Sequence, residues 1–275
     1  MARVKGPFQI TGGIQSYSYY TMKGSDTVFM RSKGGPSKER MKVGNEFALV
    51  RKHQSEWAAC VLFSKYLNQA TSSFKKMGDF NVSPIWNGIG KKLINLDTEH
   101  VLGERWLELS NYPQALEGFN MNRNFTFNSV FRAYIQFELN KEKKLLTIKL
   151  PRINTKNDLY NVRKMPYFRL KFSLGMISDI YFDIEKRKFK PYQFFSESYP
   201  ILAVMTDTQW LSTNDLIPEQ SFELILEKEI STDVLKHFTF LVCAGIEFGS
   251  VGFAGQIETV KNGSSSKIVL TEKAE

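Results

Sequence analysis

The densest set of chemistry-bearing residues is the stretch DTEH, which places Asp97, Glu99 and His100 within four positions. Two carboxylates and an imidazole are ligand types for a divalent ion, and such an ion can activate water for hydrolysis. A polar turn, with Asp and Thr bonding the local backbone, accounts for the same residues. A metal-dependent hydrolase centred here therefore ranks third among the functional readings. Of the other two histidines, His53 shares a helical segment with Glu56 without an HExxH pattern, and His237 opens an apolar strand, where a structural role is expected. NGIGKK fails as a phosphate cradle, because Ile85 stands at the first glycine position of a P-loop and Lys92 at the position of the magnesium-binding hydroxyl. FGSVGFAG lies among strands, with no helix after it, and reads as a bend or hairpin. No GxSxG elbow occurs, and Cys60 and Cys243 sit in the apolar runs WAACVLF and FLVCAGI as buried thiols. The leading expectation is a protein that is not an enzyme, with no catalytic residue, no cofactor and no metal site.

Charge points to a different chemistry. Residues 1–100 carry 15 Lys and Arg against 7 Asp and Glu, whereas residues 101–275 carry 22 against 21, so the net charge of +9 resides almost wholly in the first third. Local excess of this kind steers acidic protein surfaces or nucleic acid. Arg31, Lys33, Lys38, Arg40, Lys42, Arg51 and Lys52 crowd one joint, next to Tyr17 and Tyr19. Cations can neutralise phosphates while rings stack on bases, which makes nucleic acid the alternative partner.

The elements that position these residues follow from periodicity. IQSYSYYTMKGSDTVFMRSKGG alternates about a KGSD turn, which predicts a β-hairpin pairing Tyr20 with Phe29, Tyr19 with Met30 and Tyr17 with Ser32. Both faces of that ribbon are partly apolar. Phe47, Val50, Gln54, Trp57, Val61 and Ser64 recur at helical spacing, predicting a helix of about 25 to 30 residues that ends before Gly78, with Glu56 off its apolar face. SPIWNGIGKKLINLD predicts a second helix, capped by Ser83 and striped by Ile85, Ile89, Leu93 and Leu96. From Phe131 the period changes to two, with a hairpin over 130–150. Further strands are expected at YFRLKFSL, SDIYFDI, ILAVMTDTQW, SFELILEKEI, FTFLVCAGIEF, GQIETV and KIVL. Hairpin-sized gaps favour antiparallel sheets. The expected fold is α+β: an N-terminal β-hairpin and helices over 1–123, followed by an antiparallel β-sandwich over 124–275.

The segments MARVKGPFQITGG, VRKHQSEW, SPIWNGIGKKL, QALEGFNMNRNF, PRINTKNDLYNV and GIEFGSVGFAGQI resemble those of an uncharacterised family of bacterial proteins of similar length. The resemblance covers nearly the whole chain. It implies a standalone bacterial protein, and it carries over no activity and no site residue. An N-terminal ribbon with a basic exit and then a helix also resembles small proteins of mobile or phage-like elements, which implies an assembly role.

The sequence reading is thus a non-catalytic binding or assembly protein, a structural component of a larger bacterial or phage-like assembly. Its partner is a protein surface or a second copy, met through Tyr17, Tyr19, Arg31, Lys33, Lys38, Arg40 and Lys42. No stretch reaches the roughly 18 apolar residues of a membrane helix, and no apolar leader opens the chain, so no membrane insertion and a cytoplasmic location are expected.

Overall fold

The structure, a computed structural model, describes residues 2–4, 10–22, 26–192, 201–260 and 263–275. It is α+β, with every strand pairing antiparallel. The chain divides into two compact units, Met1–Arg51 and Lys52–Glu275. That division does not coincide with the one expected at residue 123, because the helices after Arg51 share a core with the sheet.

In the first unit, β1 (Ala2–Val4), β2 (Gly12–Ile14), β3 (Tyr17–Thr21) and β4 (Val28–Ser32) form a sheet in the order β1-β4-β3-β2. The expected register holds, with Tyr17 opposite Ser32, Tyr19 opposite Met30 and Tyr20 opposite Phe29. The expected hairpin gains an outer strand on each side; positions 23–25 of its turn lie outside the described residues. Helix α1 (Lys38–Val43) follows, with Ser37 capping it by accepting from the Arg40 amide at 3.1 Å.

The second unit is built on a central sheet. Its long strands are β8 (Tyr167–Ser178) and β15 (Phe238–Val251), in register along twelve residue pairs. β11 (Ile201–Asp207) and β12 (Leu211–Ser212) pair with β8, and β16 (Ile257–Thr259) and β17 (Ser265–Lys273) pair with β15. A second sheet, in the order β14-β6-β5, comprises β5 (Gln136–Asn140), β6 (Leu145–Leu150) and β14 (Gln220–Ile225). Two small pairings join β7 (Ile153–Asn154) to β13 (Leu216–Ile217), and β9 (Ile180–Asp183) to β10 (Lys188–Pro191).

Strand alternation divides the interior in two. Phe168, Leu170, Phe172 and Leu174 of β8, with Phe240, Val242, Ala244 and Ile246 of β15, meet Leu146, Ile148 and Leu224 of the second sheet in one core. Leu241 and Cys243, with Ile268 of β17, face the other way, onto Cys60, Phe63 and Leu67 of α2 (Ala48–Ala70) and Trp86 and Leu93 of α3 (Ser83–Ile94). The sheet-on-sheet packing of a sandwich therefore exists, with helices as a third layer. A bulge between Val242 and Cys243 lets β17 serve both layers: Leu270 pairs with Val242 and Ile268 with Cys243, although both have even numbers. Gly245 lies on the helix-facing side, where a Cβ would come within 2.6 Å of Met77 Sδ and 2.9 Å of the Phe74 ring.

The phase expected for α2 is wrong. Val50, Trp57 and Val61 are exposed, and the buried face runs through Glu56, Ala59, Cys60, Phe63 and Leu67. The physical reason is Glu56, a charged residue that is completely buried. Its Oε1 accepts from Arg105 Nε at 2.6 Å and from the Gly103 amide at 3.0 Å; its Oε2 accepts from Arg105 Nη2 and Lys91 Nζ, both at 2.7 Å. Burial pushes this carboxyl upward, but the Arg105 bond, the amide and Lys91 outweigh it and hold the group down to about 2. One residue so anchors α2 to α3 and to the loop after it. In α3, too, the stripe shifts: Trp86, Gly90, Leu93 and Ile94 are buried while Leu96 is exposed. Ser83 is the first helical residue, preceded by Val82 at the cap without a side-chain bond, so the expected serine cap is not formed.

Candidate functional site

The sequence-predicted interface residues lie in the first unit, but not on one face. Tyr17 and Tyr19 share a face of β3 with their partners Ser32 and Met30. Arg31 pairs with Ser18 and so sits on the opposite face, beside the stacked Tyr20 and Phe29 rings, its guanidinium carbon 5.6 Å from the Tyr20 centroid. Lys33 leaves β4 with its amide donating to the Ser16 carbonyl, and Lys38, Arg40 and Lys42 follow on α1. All five cations are exposed. Arg40 pairs with Glu46 at 2.9 Å, and Arg51 donates to the carbonyls of Met41 and Gly44, at 2.9 and 2.8 Å, fastening the end of α1. Part of the basic joint is therefore engaged within its own unit.

What the sheet lacks is cover. Val28 is the one buried apolar residue among the described residues of this unit, and both hydrophobic cores lie wholly in the other. Tyr17, at 42% exposure, and Ile14, at 50%, sit at the β2–β3 side, where β2 ends the sheet with a fully exposed strand.

Among the described residues, DTEH gathers no third ligand and assembles no metal site. Asp97 accepts from the amides of Glu99 (2.8 Å), His100 (3.1 Å) and Trp106 (2.6 Å), and its Oδ2 lies 2.8 Å from His100 Nδ1. Burial raises this carboxyl, but those amide bonds outweigh it and set it below the usual range. Glu99 is exposed, and His100 stacks on Trp106 with centroids 4.3 Å apart. Asp97 is a turn anchor.

A different trio comes together: Glu108, Asp179 and His237, each with a ligand atom within 4.8 Å of the others'. Backbone pairing places them. Leu107 and Ile180 exchange amide hydrogen bonds at 2.8 and 2.9 Å, setting Glu108 beside the break between β8 and β9, where Asp179 sits. The Asp179 amide donates to the His237 carbonyl at 2.8 Å, so the residue before β15 arrives at the same point. Asp179 is fully buried, and Ser110 holds its carboxylate through its amide at 2.9 Å and its hydroxyl at 2.5 Å. His237 lies flat on Tyr192, with centroids 3.7 Å apart and planes 9° apart. Burial pushes Asp179 up to about 7; burial and the charge of Asp97 raise Glu108; burial, Lys236 and Lys273 lower His237. All three shifts favour uncharged groups. Sequence reasoning passed over Glu108 and Asp179, though an aspartate inside the apolar run LGMISDIYF was the available signal.

No family model matches the chain, and no curated protein or solved structure gave a match. No helix among the described residues is long and apolar enough to cross a membrane.

Proposed function

We propose that the chain is a non-catalytic binding or assembly protein, a component of a larger bacterial or phage-like assembly, and that its N-terminal sheet is the docking element. One observation carries the reading: this four-stranded sheet has a single buried apolar side chain among its described residues. A sheet gains its stability by burying a face, and one that does not bury a face within its own unit gains it by meeting another surface. β2, the end strand of the sheet among the described residues, offers main-chain donors and acceptors for strand addition, while Ile14, Tyr17 and Tyr19 supply contact area. The exposed lysines beyond β4 favour an acidic rim on the protein surface that is met.

The test is the mass of the full chain in solution over a range of concentrations, for the native sequence and for Ile14→Lys with Tyr17→Ser. Association that the double substitution abolishes, with an unchanged circular dichroism spectrum, supports the reading. A chain that stays single at all concentrations refutes self-association. If it gains mass only with nucleic acid, in a salt-dependent way that weakens on replacing Arg31 and Lys33, the cations serve phosphate instead.

A further inference from the structure

We propose that Glu108, Asp179 and His237 form a site for one zinc ion, with one coordination position left open. The three side chains come from a loop, a strand break and the entry to β15, and their ligand atoms already lie within 4.8 Å of one another, with His237 Nδ1 at 3.9 Å from Asp179 Oδ2. Tetrahedral zinc, with bonds of about 2.0 to 2.2 Å, holds neighbouring ligand atoms roughly 3.4 Å apart. Closing the gaps takes from about 0.5 Å to about 1.4 Å, which the partly exposed side chains of Glu108 and His237 supply by torsions while buried Asp179 stays fixed.

Two further features favour a cation. Among the described residues, neither carboxylate forms an ion pair with lysine or arginine, so a buried aspartate lies beside a second acid without a direct cationic partner. The supporting bonds are also those of a prepared site. Ser110 grips Asp179 from two directions, and the Tyr192 ring lies flat against His237, its amide tied to the Ser178 hydroxyl at 3.0 Å. Such outer contacts hold ligands in place before an ion arrives. One nitrogen and two carboxylates suit zinc better than calcium or magnesium, which want six or more oxygens.

The experiment uses the full chain without a polyhistidine tag, stripped with chelator and titrated with zinc chloride by calorimetry, then with cobalt(II) by visible absorption. One equivalent of zinc is expected, with the d–d bands of four- or five-coordinate cobalt. Glu108→Gln and His237→Ala, both at partly exposed positions, each weaken zinc at least about tenfold. Cys60→Ser leaves binding unchanged, since both thiols are buried elsewhere in the core. Should His237→Ala fail to fold, Glu108→Gln and the cobalt spectrum decide alone. Absence of one-to-one binding, or zinc binding that ignores both substitutions, overturns the proposal.

Discussion

Glutamine at position 56 keeps the shape of the buried glutamate and removes its charge. In the folded chain, Arg105, the Gly103 amide and Lys91 hold this carboxyl down to about 2, against 4.5 for the free group. A depressed carboxyl contributes its full stabilisation above the unfolded value and loses it as pH falls toward the folded one. At about 1.4 kcal/mol per pH unit, the difference amounts to roughly 3 kcal/mol at pH 7, of which about 2 has gone by pH 3. A second route gives a similar size. Removing one partner of a buried ion pair costs about 3 to 5 kcal/mol, and the 30% exposure of the Lys91 side chain places this case at the lower end. Urea titration followed by tryptophan fluorescence reads the loss. With a slope of about 2 to 3 kcal/mol/M, Glu56→Gln lowers the midpoint by about 1 M at pH 7 and by much less at pH 3. A midpoint unchanged at pH 7, or a shift of equal size at both pH values, refutes the claim that this charge ties α2 to α3.

Three further substitutions probe the packing. Gly88→Ala in α3 raises stability by up to about 1 kcal/mol, since nothing lies within 4 Å of the added Cβ; a thermal melt measures the gain. Gly90→Ala, two positions on, lowers the melting temperature, because its Cβ would stand 3.1 Å from Phe63, 3.3 Å from Leu107 and 3.4 Å from the Cys60 backbone. Gly245→Ala costs more, on the order of 1 to 3 kcal/mol by chemical denaturation, because Met77 and Phe74 must both retreat from the sheet.

Local patterns in the sequence carried much of this architecture. Centring the turn on KGSD was enough to fix the ribbon's register, because the length of the loop decides which residues face each other. The hairpin of β5 and β6 was legible for the same reason. The face of α2 was not, since hydrophobicity alone places Trp57 and Val61 inside, whereas Glu56 goes in with partners supplied by Lys91 and by Arg105, 49 positions away. Tyr17 and Arg31 were readable as neighbours in a ribbon, and pleating then put them on opposite faces. The carboxylate and histidine trio had no spacing to read. Ser110 and Asp179 stand 69 positions apart, and the Leu107–Ile180 bridge brings their segments together.

Cys60 and Cys243 sit in the same core, one on α2 and one on β15, and burial raises their thiols to about 11 and about 12. Alkylating reagents attack thiolate, so both sulfurs stay silent while the helices lie on the sheet. The chain therefore carries its own pair of chemical clocks: the rate at which each sulfur becomes labelled times how often its side of the helical layer lifts away, without any engineered probe.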